Sequence, residues 1–174
     1  MKQNITVRDM AYIALMAVVI ALCSWISVPA AVPFTMQTFA VFCALLLLGG
    51  RRGTFAVALY ILLGAFGLPV FSGFRGGIGA LLGPTGGYIV GFLLCAVLYW
   101  IFEGKLKDIV LLIIGNLVCY LFGTVWFVYV YSSGGKAITF GAALMLCVVP
   151  YLLPDAIKML LAFVLSRRVK KLIL

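Results

Sequence analysis

The sequence is dominated by apolar segments that are long enough to cross a lipid bilayer. A bilayer core about 30 Å thick requires roughly 20 apolar residues per spanning helix. Of the 174 residues, 66% are hydrophobic and 10% are charged, whereas a soluble domain has roughly 25% charged residues. The composition therefore predicts an integral membrane protein and excludes a water-soluble domain or a disordered chain.

Prolines, paired glycines and basic residues divide the apolar sequence into six candidate spans, because these residues end helices or lie outside the bilayer. The spans are residues 10–28, 33–49, 53–66, 84–102, 109–131 and 151–166. Pro150 and Pro154 interrupt the last apolar segment, so a short helix at 138–147 should precede a kink and the final span. The predicted fold is an all-α integral membrane protein, with residues 1–174 forming a single six-helix domain.

The positions of lysine and arginine give the orientation. With the N-terminus in the cytoplasm, ten basic residues fall on the cytoplasmic side and only Arg75 and Lys136 fall outside. The inner set is Lys2, Arg8, Arg51, Arg52, Lys105, Lys107, Arg167, Arg168, Lys170 and Lys171. This bias follows the positive-inside rule and predicts a multi-pass cell-membrane protein with both termini cytoplasmic. The rule also accounts for the net charge of +9 without a nucleic-acid partner.

Several kinds of chemistry lack the residues that they need. The sequence has no histidine, and its five cysteines stand singly in apolar segments, as expected for buried packing. It contains no phosphate-binding Gly-x-x-x-x-Gly-Lys motif, no Gly-x-Ser-x-Gly and no paired catalytic carboxylates. We therefore expect no metal, no cofactor, no ATP site and no enzymatic activity. Concentrative transport would draw its energy from an ion gradient or from other subunits.

Two apolar segments between the predicted helices are rich in glycine or proline. They are residues 29–38 and the loop from 64 to 88, and both fall on the predicted outer face. Irregular backbone at membrane depth is tolerated where protein or a water-filled cavity covers its polar groups. The apolar, Gly-rich outer loop between predicted helices 3 and 4 is therefore interpreted as a lid or plug over an outward-opening pocket. The alternative is a simple flexible loop.

Asp155 and Lys158 are the strongest candidates for a ligand site. Their spacing of three places them on one helical face, and Pro154 suits the first turn of a helix. Ionised residues inside a span cost about 2.5–3.5 kcal/mol each on insertion scales and mark functional sites. Together they offer carboxylate acceptors and ammonium donors to a ligand that has both N–H and oxygen groups. The alternative is a pair that only neutralises itself near the outer interface.

Other polar and aromatic residues are weaker candidates. Arg75 in the glycine-rich loop could clamp a carboxylate, or it could be an exposed loop charge. Thr35 and Gln37 could bind a ligand or a neighbouring helix, and the latter is commoner. Tyr88, Tyr120 and Trp126 could stack on a flat or apolar ligand, although most aromatic residues here must serve packing.

The first helix carries small residues at four-residue spacing. Ala17 and Ala21 form a small-xxx-small pattern, which allows another helix to approach closely. The partner helix could belong to this chain or to another subunit. A second frame begins at Ala14, whose neighbour four residues later is Val18.

Several motifs closely resemble, in order along almost the whole chain, those of the BioY family. They are 32–38 (VPFTMQT), 67–73 (GLPVFSG), 75–79 (RGGIG), 83–88 (GPTGGY), 120–126 (YLFGTVW) and 150–158 (PYLLPDAIK). The resemblance implies a six-helix biotin-specific substrate-binding component (S component) of an energy-coupling-factor (ECF) transporter. Its partners would be biotin, a membrane coupling subunit, two ATP-binding-cassette ATPases and the lipid bilayer.

The resemblance also implies roles for individual residues. Asp155 and Lys158 would bind polar groups of biotin, while Arg75, Gly83, Thr85 and Tyr88 would close the loop side of the pocket. Thr35, Gln37, Tyr120 and Trp126 would complete the pocket, and Ala14, Ala17 and Ala21 would form the coupling surface. Two alternatives remain open at this point: an autonomous secondary transporter or facilitator of a small vitamin, and a membrane enzyme or scaffold without a ligand.

Overall fold

The computed structural model describes residues 5–135 and 138–173, and apart from one short β-hairpin its regular structure is helical. The elements are α1 (Val7–Trp25), β1 (Ser27–Val28), β2 (Phe34–Thr35), α2 (Gln37–Ala65), α3 (Ile78–Leu82), α4 (Gly86–Phe102), α5 (Asp108–Ser133), α6 (Phe140–Cys147) and α7 (Val149–Ile173). Lys2 and Lys136, which the charge analysis placed on opposite faces, lie outside the described residues.

Helix α2 is a hairpin of two antiparallel arms. Gly49 has φ 79° and ψ 171°, a backbone conformation that glycine adopts without a steric penalty. Gln37 donates a hydrogen bond from Nε2 to the hydroxyl of Tyr60 at 3.0 Å, although a continuous helix would place these residues about 34 Å apart. The arms, residues 37–48 and 50–65, correspond to the predicted spans 33–49 and 53–66.

The long helices suit a membrane protein. Among the described residues, α1, α5 and the 149–171 part of α7 are each long and apolar enough to cross a bilayer. Helix α2 has 29 apolar-rich residues but is divided at Gly49, and α4 is apolar but has 17 residues. Counting the two arms of α2 separately, the described chain has six long helical segments. The short helix expected at 138–147 is present as α6.

Helix ends differ from the predicted ends for local reasons. Helix α1 begins at Val7 because Thr6 and Asp9 form a capping box, in which each side chain accepts a hydrogen bond from the other residue's backbone N–H. It stops at Trp25, since Val28 precedes a proline and such residues favour extended backbone. Residues 33–36 were predicted to be helical, but Phe34–Thr35 pairs antiparallel with Ser27–Val28.

Helix α7 begins at Val149 and continues to Ile173, beyond the predicted end at 166. Pro150 lies in its first turn, where a backbone N–H has no helical partner and proline is tolerated. The break from α6 falls at Val148, whose φ of −124° departs from helical values.

Charged contacts gather several helix ends at one end of the bundle, which we call the basic end. Arg52 Nε lies 3.1 Å from the Asp9 carboxylate, and the Gly50 N–H donates to Glu103 Oε2 at 2.9 Å. The start of α1, the turn at Gly49 and the end of α4 therefore meet. Arg8, Arg51, Arg52, Lys105 and Lys107 lie in these segments. Helix α7 runs towards the same end and carries Arg167, Arg168, Lys170 and Lys171 there.

Helices α4 and α5 pack closely through small residues spaced four apart. The set is Gly87, Gly91 and Cys95 on α4, with Gly115, Cys119 and Gly123 on α5. A Cβ atom on Gly115 would lie 2.5 Å from Cys95 Sγ, and one on Gly91 would lie 2.8 Å from Cys119 Sγ. Such small-xxx-small faces let membrane helices approach closely. They hold the two helices that form one wall of the cavity described below.

We expect Gly115→Ala to destabilise the folded protein. The added methyl group overlaps Cys95, and overpacking of this kind costs roughly 1–3 kcal/mol. The matched control is Gly141→Ala in α6, where a Cβ would meet no atom within 4 Å. Alanine favours helix over glycine by about 1 kcal/mol, so the control should keep or raise the Tm in detergent. A Gly115→Ala protein that melts at or above the parent Tm would contradict the packing described here.

Candidate functional site

A cavity opens at the end of the bundle opposite the basic end. Its empty volume, which includes open solvent at the mouth, is about 780 Å³. The β-hairpin, the start of α2, the α2–α4 loop and helices α4, α5, α6 and α7 form its wall. The lining residues are Val32, Pro33, Thr35, Gln37, Thr38, Phe71, Ser72, Arg75, Ala80, Thr85, Tyr88, Ile89, Phe92, Asn116, Cys119, Tyr120, Cys147, Tyr151, Asp155 and Lys158.

The predicted ion pair lies in this wall. Asp155 and Lys158 are 5% and 4% exposed, and Lys158 Nζ donates to Asp155 Oδ1 at 2.8 Å. Their spacing of three on α7 brings the two side chains to the same helical face. A second donation from Lys158 Nζ goes to the carbonyl of Thr35 at 2.7 Å, and the ammonium lies 3.9 Å from the ring centre of Phe34. Lysine has three donors, so one remains after these two hydrogen bonds.

Tyr120 holds the other oxygen of the carboxylate. Its hydroxyl donates to Asp155 Oδ2 at 2.5 Å, which links α5 to α7. Each carboxylate oxygen has two acceptor positions, so Asp155 can accept further hydrogen bonds from a ligand. A buried ion pair is tolerated when additional hydrogen bonds satisfy it. The arrangement presents an acceptor beside a donor and suits a ligand group that carries N–H and C=O together.

The β-hairpin docks on α7 next to this pair. The Tyr151 hydroxyl donates to the carbonyl of Val32, and the Tyr151 and Phe34 rings stack with centroids 6.1 Å apart. Thr35 contributes its backbone carbonyl to Lys158, while its Oγ1 accepts from the Gln37 N–H at 3.3 Å. The segment around the predicted residue Thr35 is thus part of the ion-pair network.

Other predicted residues line the cavity while bonding to neighbouring helices. Gln37 is joined to Tyr60 as described, and the hydroxyls of Tyr88 and Thr124 lie 3.0 Å apart. Thr85 lines the wall just before α4. Gln37 therefore bonds within the bundle, which was the alternative to ligand binding for this residue, and Tyr88 bonds to α5. Both residues also line the cavity.

Several contacts hold the α2–α4 loop against the bundle beside the cavity. Phe71 is buried and its ring meets that of Tyr60 at a centroid distance of 5.5 Å. The Phe71 and Arg75 backbones pair across a tight turn, and the Gly77 N–H donates to the Gly64 carbonyl at 2.7 Å. Arg75 lines the cavity mouth, and its Nε donates to the Ser72 carbonyl at 3.3 Å. These contacts place a guanidinium at the opening while the ion pair lies in the buried wall.

The structure places Gly83 and Trp126, both predicted to contact the ligand, outside the cavity lining. Trp126 Nε1 donates to the Gly83 carbonyl at 3.0 Å. The indole packs over Gly87, where a Cβ atom would lie 2.3 Å from Trp126 Cβ. Trp126 therefore holds the last turn of the α2–α4 loop against α5.

Two of the three predicted coupling-surface alanines are buried inside this chain. Ala17 and Ala21 belong to the core that α1 shares with α2, whereas Ala14 is exposed. Of the two four-residue patterns on α1, the one formed by Ala14 and Val18 is exposed. Ala17 and Ala21 serve packing between helices of the same chain.

Several lining residues were not predicted as ligand contacts, among them Phe71, Phe92 and Tyr151. Asn116 also lines the cavity, as expected of a polar residue in the middle of an apolar span. For the aromatic residues no signal was available, because 14% of the chain is aromatic. In the part of the chain that the structure describes, no three His, Cys, Asp or Glu side chains group to hold a metal ion.

Comparisons with known proteins identify the family of this chain. The sequence profile of the BioY family matches residues 1–174. The "Probable biotin transporter BioY" of Pyrococcus horikoshii is 38% identical over 80% of this chain and 81% of its own length. The "Biotin transporter BioY" of Thermotoga maritima is 39% identical over 86% of this chain and 88% of its own.

A solved structure shares the fold. The crystal structure of the S-component for biotin from an ECF-type ABC transporter superposes with a TM-score of 0.85 at 28% identity, and covers 98% of this chain and 95% of that one. With a profile that matches the whole length and relatives of this similarity, the chain belongs to the BioY family.

Proposed function

We propose that this chain is the biotin-capturing S component of an ECF vitamin transporter, and not an enzyme. The observation that carries the proposal is the buried Asp155–Lys158 pair in the wall of a cavity that is lined by both polar and aromatic side chains. Relatives over most of the chain are named biotin transporters, and the similar solved structure is an S-component for biotin. Family membership supports the class of protein, and the cavity supports the manner of binding.

The ureido ring of biotin matches the ion pair chemically. It carries N–H donors next to a carbonyl acceptor, so the carboxylate of Asp155 can accept while the remaining Lys158 donor reaches the carbonyl. Charge-assisted hydrogen bonds are roughly twice as strong as neutral ones. Tyr120 acts by orienting Asp155 through their 2.5 Å bond, and its ring adds apolar surface.

The rest of the ligand fits the remaining cavity wall. The valerate carboxylate of biotin would meet Arg75 at the mouth, and the thioether ring and alkyl chain would lie along Phe71, Ile89 and Phe92. Thr35, Gln37, Thr85 and Tyr88 complete the polar part of the wall. Gly83 and Trp126 act indirectly, by holding the loop that covers the ligand.

The membrane placement that we propose has six spans. They are α1, the two arms of α2, α4, α5 and α7, within one domain of the cell membrane, with both termini in the cytoplasm. The basic end faces the cytoplasm under the positive-inside rule. The cavity then opens outward, and the α2–α4 loop is its lid.

Energy for uptake would come from other subunits, because the sequence has no phosphate-binding loop. We propose a membrane coupling subunit and two ATP-binding-cassette ATPases as partners, with docking surface on the exposed face of α1 around Ala14 and Val18. The α2–α4 loop and the Asp155–Lys158 pair bind the vitamin, and the partner subunits drive its release into the cytoplasm.

Asp155→Asn should weaken biotin binding about tenfold to a hundredfold, because hydrogen bonds to a charged group contribute roughly 1.5–3 kcal/mol. Isothermal titration with purified protein measures the loss. The matched control is Asp108→Asn at the basic end, which also accepts from a tyrosine, Tyr99, at 2.8 Å but lies away from the cavity. Parent-like affinity in Asp155→Asn, or an equal loss in both variants, would argue against the assignment.

Arg75→Gln should weaken binding of biotin about tenfold or more, since a charge-assisted contact to the carboxylate is lost. Biotin methyl ester lacks that carboxylate, so its affinity should be the same for parent and variant. The measurement is a titration of both ligands against both proteins. Equal losses for the two ligands would mean that Arg75 serves the loop and not the carboxylate.

Uptake should depend on the coupling subunits. A biotin auxotroph without any ECF module is expected not to grow on trace biotin when it expresses this chain alone, and to grow when a module is co-expressed. Parent-level growth without a module would instead establish an autonomous transporter or facilitator. Asp155→Asn serves as the negative control in both hosts.

A further inference from the structure

The α2–α4 loop has a second face that the cavity does not use. Its inner residues, among them Phe71 and Ala80, line the cavity. On its outer side the large apolar residues Phe66, Phe74, Ile78 and Leu82 are 85%, 64%, 63% and 60% exposed. We call these four residues the outer patch. An exposed apolar group of this size on a loop marks an interaction surface.

The backbone supports this outward display. Phe74 has φ +56°, a conformation that is rare for a bulky residue, and its ring lies 4.9 Å from that of Trp25 at the end of α1. Ile78 and Leu82 are four apart on α3 and share a face, while Ala80 between them turns inward. Trp25 Nε1 also donates to the Pro69 carbonyl at 2.8 Å, which fixes the loop to the helix end.

The outer patch continues two helical stripes that face away from the bundle. On α1 the exposed residues Leu15 and Leu22, followed by Ile26 just after the helix, lie seven and four residues apart and end beside Trp25. On the second arm of α2, Phe55 and Leu62 lead directly to Phe66. Lipid is the medium that such apolar stripes of spanning helices meet, and tryptophan is enriched at the membrane interface.

The end of α5 and the residues that follow it, at the same end of the bundle, have the opposite composition. Residues 132–135 are Ser-Ser-Gly-Gly and are all exposed, and Ser132 and Ser133 are the last two residues of α5. This is the composition expected of a connection that lies in water. The α2–α4 loop carries one charge, Arg75, which lines the mouth of the cavity.

We propose that the outer patch is embedded in the outer leaflet of the bilayer, at the boundary between headgroups and acyl chains. The loop is then a cover with one face on the ligand cavity and the other in lipid. This placement rests on the membrane orientation proposed above and is independent of which ligand the cavity takes. Its consequence is that the cover moves through lipid and not through water when the cavity opens.

The test is depth-dependent quenching of a tryptophan placed in the patch, Ile78→Trp, in vesicles of lipids brominated near the glycerol end of the acyl chain. Interfacial side chains lie about 5–10 Å into the headgroup boundary, so the added emission should be quenched roughly threefold more strongly than that of the control variant Ser133→Trp. Acrylamide in the aqueous phase should show the reverse order. Leu82→Trp gives a second reporter if Ile78→Trp fails to fold.

Each outcome decides the proposal. Equal lipid quenching at positions 78 and 133, or stronger acrylamide quenching at 78, would overturn it. Lipid quenching at 78 that appears only when the protein is diluted in excess lipid would also overturn it, because a second copy of the chain would then cover the patch. Loss of biotin binding in these variants does not enter the readout, so failure of the ligand assignment stays distinguishable.

Discussion

The ion pair between Asp155 and Lys158 is the interaction on which the ligand end of this molecule depends. Two charges removed from water are costly unless partners surround them, and this pair on α7 has partners from two other elements. Tyr120 comes from α5, the Thr35 carbonyl comes from the β-hairpin, and the Phe34 ring covers the ammonium. The need to satisfy one buried pair therefore fixes how α5, α7 and the hairpin meet.

Close packing of the surrounding helices and loop supports the walls of the cavity. Glycines on α4 and α5 remove side-chain volume at the contact between these helices. The two helices, which form one wall of the cavity, therefore pack closely against each other. At the mouth, Phe71 inserts into the bundle against Tyr60, and Trp126 ties the end of the loop to α5. The α2–α4 loop is thus attached to the bundle at several points.

Much of the architecture and part of the site could be read from residue order. Prolines and glycines marked the breaks at Gly49 and between α6 and α7, and the basic residues indicated which helix ends share one end of the bundle. Asp155 and Lys158 stood out because charges are rare in apolar spans. Gly83 and Trp126 lie outside the cavity lining and bond to each other, and their motif signals proximity to the loop but not which group the indole reaches. Ala17 and Ala21 form a small-residue pattern that is the same for an internal or an external partner, and only burial separates the two.

Local physical chemistry along the chain was enough to predict a helical membrane protein, its candidate spans, the clustering of its basic residues and the Asp155–Lys158 pair. These properties depend on hydropathy, helix-breaking residues and charge, which act over a few neighbouring residues. Tertiary structure alone decided that Phe34–Thr35 pairs with Ser27–Val28, that Tyr120 binds the Asp155 carboxylate and that Trp126 binds the loop. The last two contacts join residues 35 and 43 positions apart, and long-range packing has no signature in the order of the residues themselves.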